Sequence, residues 1–511
     1  MTELIKNKLD VFKDFIHDAG LKKAEYQERA IEWCLEKEHS VDDIKGGVIG
    51  DEMGLGKTIV SLGLIVSNVK QRTLIVLPTT LVSQWKSKIE SILGIEPLVY
   101  HGKNRHKFAD DAKDSFIVLT TYGVISQLTT KHRKIKKEDT LLHNIEWDRI
   151  IFDEAHHLRN VNTSRHECSL LLKSDIKWCL TGTPIQNRKK DVMMLFHIIG
   201  FEYKYIKQHI IELIETNLLR RRMQDVGLSL PPLKSETIIV DWCSFEEKIL
   251  CELLTSHIDI TSSSSSSSSD KVDDEDIYDT YNTVHDINYY SKLISKMCGD
   301  GDSTTKLTTY LRARQLCITS VLFKKKIDKL IEIGELDTTY RQIYRYSSKI
   351  SAVTNTILSN KKNTHRKIVF CHFIEEIKQV YESIIDTDDV NKYNVKHVAI
   401  YSGSLTLEER HRILENDDIE VLIMQIQTGC EGLNLQQYSE IYIVSPNWNP
   451  ALEDQAVARC HRQGQIKETT VYRFIMEGSE NLDTYIRETQ YEKRKSMEVV
   501  EPPFIREFSE Q

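Results

Sequence analysis

The sequence predicts an α/β chain of two parallel-sheet lobes with a helical insertion between them, and three observations carry that reading. Short β-branched runs alternate with longer amphipathic segments over residues 46–200, the same alternation returns from about residue 348, and the strand signal fades between the two series. At 511 residues the chain also exceeds what one hydrophobic core usually serves, roughly 100 to 200 residues per domain.

The elements follow in order. In the first lobe, assigned to residues 1–235, the strand candidates are TLIVLP at 73–78, FIVLTT at 116–121 and RIIFDEAH at 149–156. The insertion, residues 236–347, reads as helical and polar, with LCITSVLFKKKIDKLIEI at 316–333 periodic enough for a protruding helical module. Within it Ser262 to Ser269 run uninterrupted ahead of Asp270, Asp273, Asp274, Glu275 and Asp276, a stretch too polar to offset its ordering entropy and expected to be a disordered loop. The second lobe, residues 348–480, offers KIVFCHF at 367–373, HVAIYSG at 397–403, VLIMQIQ at 421–427 and EIYIVSP at 440–446. Residues 481–511 read as a charged amphipathic brace helix and tail.

Composition narrows the function. No run approaches the roughly 18 apolar residues of a spanning helix, so no membrane partner is expected, and the N-terminus lacks the apolar stretch and cleavage site of a secretory signal. Residence inside a cell follows as the expectation. Ten cysteines stand singly, with no zinc-finger spacing, and are expected to be reduced. A net charge of -8 argues against a uniformly basic coat, so any phosphate-binding surface must be local. Two clusters qualify, Lys131, Arg133, Lys134, Lys136 and Lys137, and separately Arg220, Arg221 and Arg222; a solvated face explains either equally well.

The segment GDEMGLGKT at 50–58 joins an apolar stretch to the helical pattern IVSLGLIVSNV, the context a phosphate loop needs. Gly54 and Gly56 let backbone N–H groups turn inward, Lys57 reaches terminal phosphates, and Thr58 offers a hydroxyl to Mg²⁺. Asp51 stands where the strict motif has its first glycine; Glu52, Met53 and Leu55 complete the loop. A second carboxylate cluster sharpens the reading. Asp153 and Glu154 end an apolar strand, where paired carboxylates are too costly to desolvate without a cation; Asp153 would bind the metal and Glu154 would activate the attacking water. His156 would couple this site to TGT at 181–183.

The order of motifs then resembles the superfamily-two helicases, and within them the Swi/Snf-like ATPases. DEMGLGKT is followed by LPTTLVSQW at 77–85, TTYG at 120–123, DEAH at 153–156 and TGTPIQN at 181–187, then in the second lobe by GLNL at 432–435, SPNWNP at 445–450 and QAVARCHRQGQ at 455–465. LLRRR at 218–222 and LPP at 230–232 are also typical, and the match spans about residues 20–490. EWDRIIFDEAHHLRN and WNPALEDQAVARCHRQGQ look closest to the branch of repair translocases and transcription-release factors, here without a RING finger. Richness in Asn, Lys and Ile fits an AT-rich genome such as that of a large DNA virus.

The resemblance implies two RecA-like lobes that hydrolyse ATP with Mg²⁺ between them. Tyr26 and Gln27 match the end of the adenine-recognition motif, although Lys22 to Glu25 depart from its usual start, and Gln455, Arg459 and Arg462 match the motif whose arginines reach the γ-phosphate. Thr120, Thr121, Tyr122, Thr183, Gln186, Asn187, Gln427, Thr428, Gly429, Asn434 and Trp448 match positions that contact nucleic-acid backbone; Trp448 and Trp85 are equally readable as packing aromatics. Cys430 replaces a usual glycine. The implied track is double-stranded DNA rather than RNA, the motor is expected to be monomeric, and a nucleosome or polymerase is the kind of obstacle it would remodel, in a nucleus, a virion or a viral replication site. A strand-separating helicase and a non-catalytic DNA-binding scaffold are the competing readings.

Overall fold

The structure is a computed structural model that describes residues 2–129, 141–184, 190–256, 287–298, 303–344, 347–360, 365–385, 397–430, 433–478 and 481–498. The chain divides into two compact units, the first built on the residues up to Leu230 and the second on Pro231–Cys430 and Asn434–Glu492.

The first unit carries seven strands: β1 (Lys45–Ile49), β2 (Thr73–Leu77), β3 (Leu98–Val99), β4 (Ile117–Thr121), β5 (Arg149–Phe152), β6 (Ile176–Leu180) and β7 (Leu218–Leu219), in the order β3-β4-β2-β5-β6-β1-β7. Every pairing is parallel. Helices cover both faces, which is why its strands read as continuous apolar runs. Ile150 and Phe152 point into one core with Val48, Leu74 and Cys179, while Ile151 points into the other with Ile49, Ile75 and Trp178. A fully buried polar knot ties the edge of this second core together: the Glu38 carboxylate accepts from Arg149 Nε at 2.6 Å, from Trp178 Nε1 at 2.9 Å and from Asn68 Nδ2 at 2.5 Å.

The second unit has six strands: β8 (Leu233–Val240), β9 (Arg366–Cys371), β10 (Val398–Tyr401), β11 (Val421–Gln425), β12 (Tyr438–Ile443) and β13 (Thr469–Met476), all parallel in the order β10-β11-β9-β12-β13-β8. Here the structure corrects the expected division. Residues 233–240 are not the end of the first lobe and the start of an insertion; they form the edge strand of the second sheet, from Leu233 opposite Thr469 to Val240 opposite Met476. Nor do the described helices that follow, Phe245–Ser256, Ile287–Cys298, Ser303–Ile318 and Lys324–Glu332, protrude as a separate module. Leu250, Leu293, Leu316 and Ile327 share one core with Val369, Val421 and Phe474 of the sheet, because their apolar stripes have no other face to cover them. The helix Leu482–Glu498 joins the same core through Leu482 and Ile486. The serine run and Lys131 to Lys137 lie outside the described residues. Among the described residues, Cys251 and Cys317 meet although distant in sequence, their Sγ atoms standing 3.5 Å apart as free thiols. Among the described residues no helix is long and apolar enough to cross a membrane.

Candidate nucleotide site

The candidate catalytic groups leave the sheet of the first unit at one level. Ile49 pairs with Leu180 and Phe152 with Cys179, so the loops after β1, β6 and β5 emerge side by side at the carboxyl ends of adjacent strands, where open α/β sheets place ligands. After β1 the chain turns through Gly54 (φ 98°) and Gly56 (φ 83°) into the helix Lys57–Ser67. Gly56 is doubly required: its φ lies in the left-handed region, and a Cβ there would stand 2.5 Å from Gln27 Nε2. That same Gln27 amide donates to the Leu55 carbonyl at 3.2 Å, so the adenine-motif residue is seated on the phosphate loop. Lys57 Nζ donates to the carbonyls of Asp51 at 2.7 Å and Glu52 at 3.4 Å, which folds its ammonium back over the loop. Thr58 is half-buried in the first turn of the helix.

After β5 the backbone stays pinned, with Asp153 N–H donating to Val76 at 2.8 Å and Tyr122 Oη donating to the Asp153 carbonyl at 2.7 Å. The Asp153 carboxylate accepts from Trp85 Nε1 at 2.7 Å and from the Glu154 N–H at 2.9 Å. Burial nevertheless pushes its pKa up to about 6, the neighbouring Glu154 adds to the rise, and the donors and the Lys57 charge oppose it. Glu154 is the one non-glycine residue with positive φ among the described residues, at φ 50° and ψ 47°. The Glu154 carboxylate is thus carried at the strand end by a backbone conformation that L-residues adopt infrequently. Glu154 Oε2 lies 3.3 Å from His156 Nδ1, and burial followed by the charge of His156 lowers the His157 pKa to about 4. A buried Asp153 carboxyl with a raised pKa, the half-buried Glu154 carboxylate next to it, the Lys57 charge that reaches Asp153 and a glycine-turned helix entry fit a magnesium–triphosphate: Asp153 and Thr58 would hold the cation, and Lys57 and the loop N–H groups the phosphates.

The loop after β6 passes close by. Thr181 N–H donates to Ile49 at 3.0 Å, and a Cβ on Gly182 would stand 2.6 Å from Met53 and 3.6 Å from Lys57 Nζ. Thr183 N–H donates to the Thr181 hydroxyl at 3.1 Å. Gln186 and Asn187 lie outside the described residues.

Several expected contacts come out differently. Asp51 cannot be a nucleotide ligand through its side chain, because the carboxylate is fully buried and bound by Arg221. Leu55 contributes only backbone, its side chain being core. Arg220 and Arg221 are turned into the fold, Arg220 Nη1 donating to Gly50 at 3.2 Å and Arg221 gripping Asp51, whereas Arg222 is exposed, its backbone N–H donating to Asp225 at 2.6 Å. Glu52 Oε2 accepts the Met223 N–H at 2.7 Å. The hydroxyls of Thr120, Thr121 and Tyr122 turn inward rather than toward a track, all three residues being at most 3 % exposed. Thr120 donates to the Tyr100 carbonyl at 3.0 Å, and Thr121 Oγ1 lies 3.2 Å from His101 Nδ1. An open cleft of about 440 Å³ sits next to them, lined by Gly123, Gln127, His157, Ser164 and Arg165 among others.

In the second unit Arg459 lies in the last turn of the helix Pro450–Cys460 and Arg462 follows the helix; burial, then the charge of Arg459, lowers the Arg462 pKa. Gln455 is buried in the same helix. Glu453, also buried there, accepts from Asn447 N–H at 2.8 Å and Gln490 Nε2 at 2.6 Å, fixing the helix against the SPNWNP loop. Of the expected track residues, Gln427 and Asn434 are exposed, Thr428 is half-buried, and Gly429 packs so tightly that a Cβ would stand 2.4 Å from Phe370. Trp448 is half-buried, edge-on to Tyr310 at 5.8 Å and to Tyr485 at 5.9 Å. Two partners escaped sequence reasoning altogether, Trp85 for Asp153 and Arg221 for Asp51; neither separation in sequence gives a local signal.

Comparison with known proteins agrees with the order of these sites. Residues 26–205 match the SNF2-related domain, and residues 348–464 match the helicase conserved C-terminal domain. The "Probable global transactivator" of Orgyia pseudotsugata multicapsid polyhedrosis virus is 27% identical over 489 residues, covering 92% of this chain and 89% of the relative. The DNA repair protein RAD5 of Candida albicans is 26% identical over 627 residues, covering 92% of this chain but only 57% of its own length. Among solved structures, the Sulfolobus solfataricus SWI2/SNF2 ATPase core in complex with dsDNA matches at 20% identity and a TM-score of 0.38, covering 94% of this chain and 96% of that one. With its SNF2-related domain ahead of a helicase conserved C-terminal domain, the chain belongs to the Swi/Snf-like ATPases of helicase superfamily two.

Proposed function

We propose that this chain is a DNA-stimulated ATPase motor that moves along double-stranded DNA and displaces or remodels proteins bound there. The single observation that carries the reading is that Lys57, after β1, and Asp153 and Glu154, after β5, leave the sheet at one level on either side of β6, with the Lys57 charge reaching Asp153 and Glu154 in the left-handed region. Lys57 and the loop N–H groups bind the β- and γ-phosphates, and Asp153 and Thr58 would hold a Mg²⁺, which would supply positive charge to the phosphates. Glu154 takes the proton of the attacking water. Arg459 and Arg462, contributed by the second unit, stabilise the charge that develops on the γ-phosphate, an effect worth about 10³-fold or more. Closure on ATP and reopening after hydrolysis then shift one grip on the DNA backbone relative to the other, without strand separation.

Support for duplex DNA comes from the family and from relatives named for DNA repair and transactivation. A nucleus or a viral replication site is the setting we propose. The test is ATP turnover with duplex DNA, single-stranded DNA and RNA in parallel, beside an unwinding assay on a labelled duplex. Strongest stimulation by duplex DNA with no unwinding is expected, and Lys57→Ala should reduce turnover at least about 10²-fold. Stimulation by RNA alone, or release of a displaced strand, would replace this reading with that of a helicase; no turnover under any condition would leave a binding scaffold.

A further inference from the structure

The strand β7 and the residues after it run alongside the first half of the phosphate loop. Gly50 N–H donates to the Leu219 carbonyl at 2.7 Å, Glu52 N–H to the Arg221 carbonyl at 2.9 Å, and Arg221 N–H to Asp51 Oδ1 at 3.1 Å. Met223 continues the strap, its side chain lying against Gly54. The side chain of Arg221 does more than extend this ladder. Its Nε donates to Asp51 Oδ1 at 3.1 Å, and its Nη2 donates to Asp51 Oδ2, the two-pronged geometry that a guanidinium makes with a carboxylate. Its Nη1 donates to the Tyr26 carbonyl, and the guanidinium lies 5.5 Å from the centre of the Tyr26 ring. One planar group thus spans two segments 25 residues apart in the chain, from Tyr26 to Asp51. Asp51 is fully buried and the arginine side chain only 12% exposed, so neither can be spared for the ligand.

We propose that Arg221 is a positioning residue for the nucleotide. It ties the Tyr26–Gln27 segment to the phosphate loop through Asp51, so that recognition of the base and binding of the phosphates act as one site. The Gln27 amide on the Leu55 carbonyl is the other end of the same tie. The replacement of the usual first glycine by Asp51 then has a physical reason, because a carboxylate is needed there to hold the guanidinium. This deepens the ATPase reading and rests on it.

The experiment uses the full chain with saturating duplex DNA and measures kcat and KM for ATP and for GTP. In Arg221→Ala we expect KM for ATP to rise about ten-fold with kcat within about three-fold of wild type, and the preference for ATP over GTP to shrink by a similar factor. Arg221→Lys keeps the charge but not the fork, and should recover only part of the loss. Thermal unfolding is followed in parallel. A folded Arg221→Ala whose KM and base preference match wild type overturns the proposal, as does a lowered unfolding midpoint with both quantities unmoved, which would make the pair structural only. Should Arg221→Ala not fold, Asp51→Asn weakens the guanidinium–carboxylate pair without touching the Tyr26–Gln27 segment; a raised KM with reduced ATP preference there supports the tie, and both quantities unchanged refute it. Wild-type protein without ATPase activity sinks the function proposed above, whereas an active wild type with unaffected variants sinks only this inference.

Discussion

Glu154 offers a direct measure of the strain stored beside the chemistry. Its φ of 50° and ψ of 47° place an L-residue in the left-handed region, which costs roughly 1–2 kcal/mol. Replacing it with Ala or with Gly removes the same carboxylate and the same contact to His156, so the difference between the two variants isolates the backbone. Gly escapes the steric cost but gives up roughly 0.5–1 kcal/mol of chain entropy relative to Ala. Glu154→Gly should therefore be more stable than Glu154→Ala by about 1 kcal/mol. For a unit running to Leu230 that corresponds to about 2–4 °C in the unfolding midpoint, measurable by circular dichroism. Both variants should lose about 10²–10⁴-fold in ATP turnover, as expected when a general base is removed. An alanine variant as stable as the glycine variant would show that no strain is held there, and turnover surviving in either would remove Glu154 from the chemistry.

Other perturbations follow from the same geometry. Trp85→Phe withdraws the indole N–H from the Asp153 carboxylate and should slow turnover about ten-fold at saturating ATP, the scale of one hydrogen bond to a charged group; an unchanged kcat would mean that Asp153 is oriented by the backbone alone. Glu38→Ala strands the fully buried Arg149 and should destabilise the first unit by about 3–5 kcal/mol in urea unfolding, whereas a loss under about 1 kcal/mol would show that water reaches the guanidinium. Burial lifts the Glu376 carboxyl from 4.5 to about 7, against the opposing N–H donors of Phe373 and His372. The folded state then holds a proton that the unfolded chain releases, so this group's contribution to stability is full below about pH 4.5 and falls as pH rises through 7. Glu376→Gln should flatten that decline in the second unit, and an unaltered pH profile would place the carboxyl's titration elsewhere.

The sequence made part of this structure legible, and the reasons differ by residue. Strands β2, β4, β5, β9 and β11 are buried on both faces, so their apolar runs announced them, and the phosphate loop and the DE pair stand out because glycines and paired acids at strand ends have few structural uses. β8 was read as the start of an insertion because LKSETIIV is an exposed edge strand whose partner β13 lies more than two hundred residues on, so nothing local marks it. Arg221 read as part of a basic surface because charge alone does not distinguish a solvated arginine from one whose carboxylate partner is 170 residues away. The hydroxyl-rich Thr120–Tyr122 suggested phosphate contacts, yet the last residues of β4 and the turn after it use those hydroxyls internally. Trp448 was equally open to packing or to a track, and it is half-buried between tyrosines from two distant helices, partners that no local pattern marks.

The central claim is that a triphosphate gripped by Lys57, Asp153 and Glu154 is cleaved with the help of Arg459 and Arg462. The most direct measurement compares ATP binding with single-turnover hydrolysis on duplex DNA in an Arg459→Ala, Arg462→Ala double variant of the full chain. Nucleotide affinity within a few-fold of wild type together with a rate reduced about 10³-fold or more is the outcome the account predicts. Hydrolysis at the wild-type rate in that variant would contradict it.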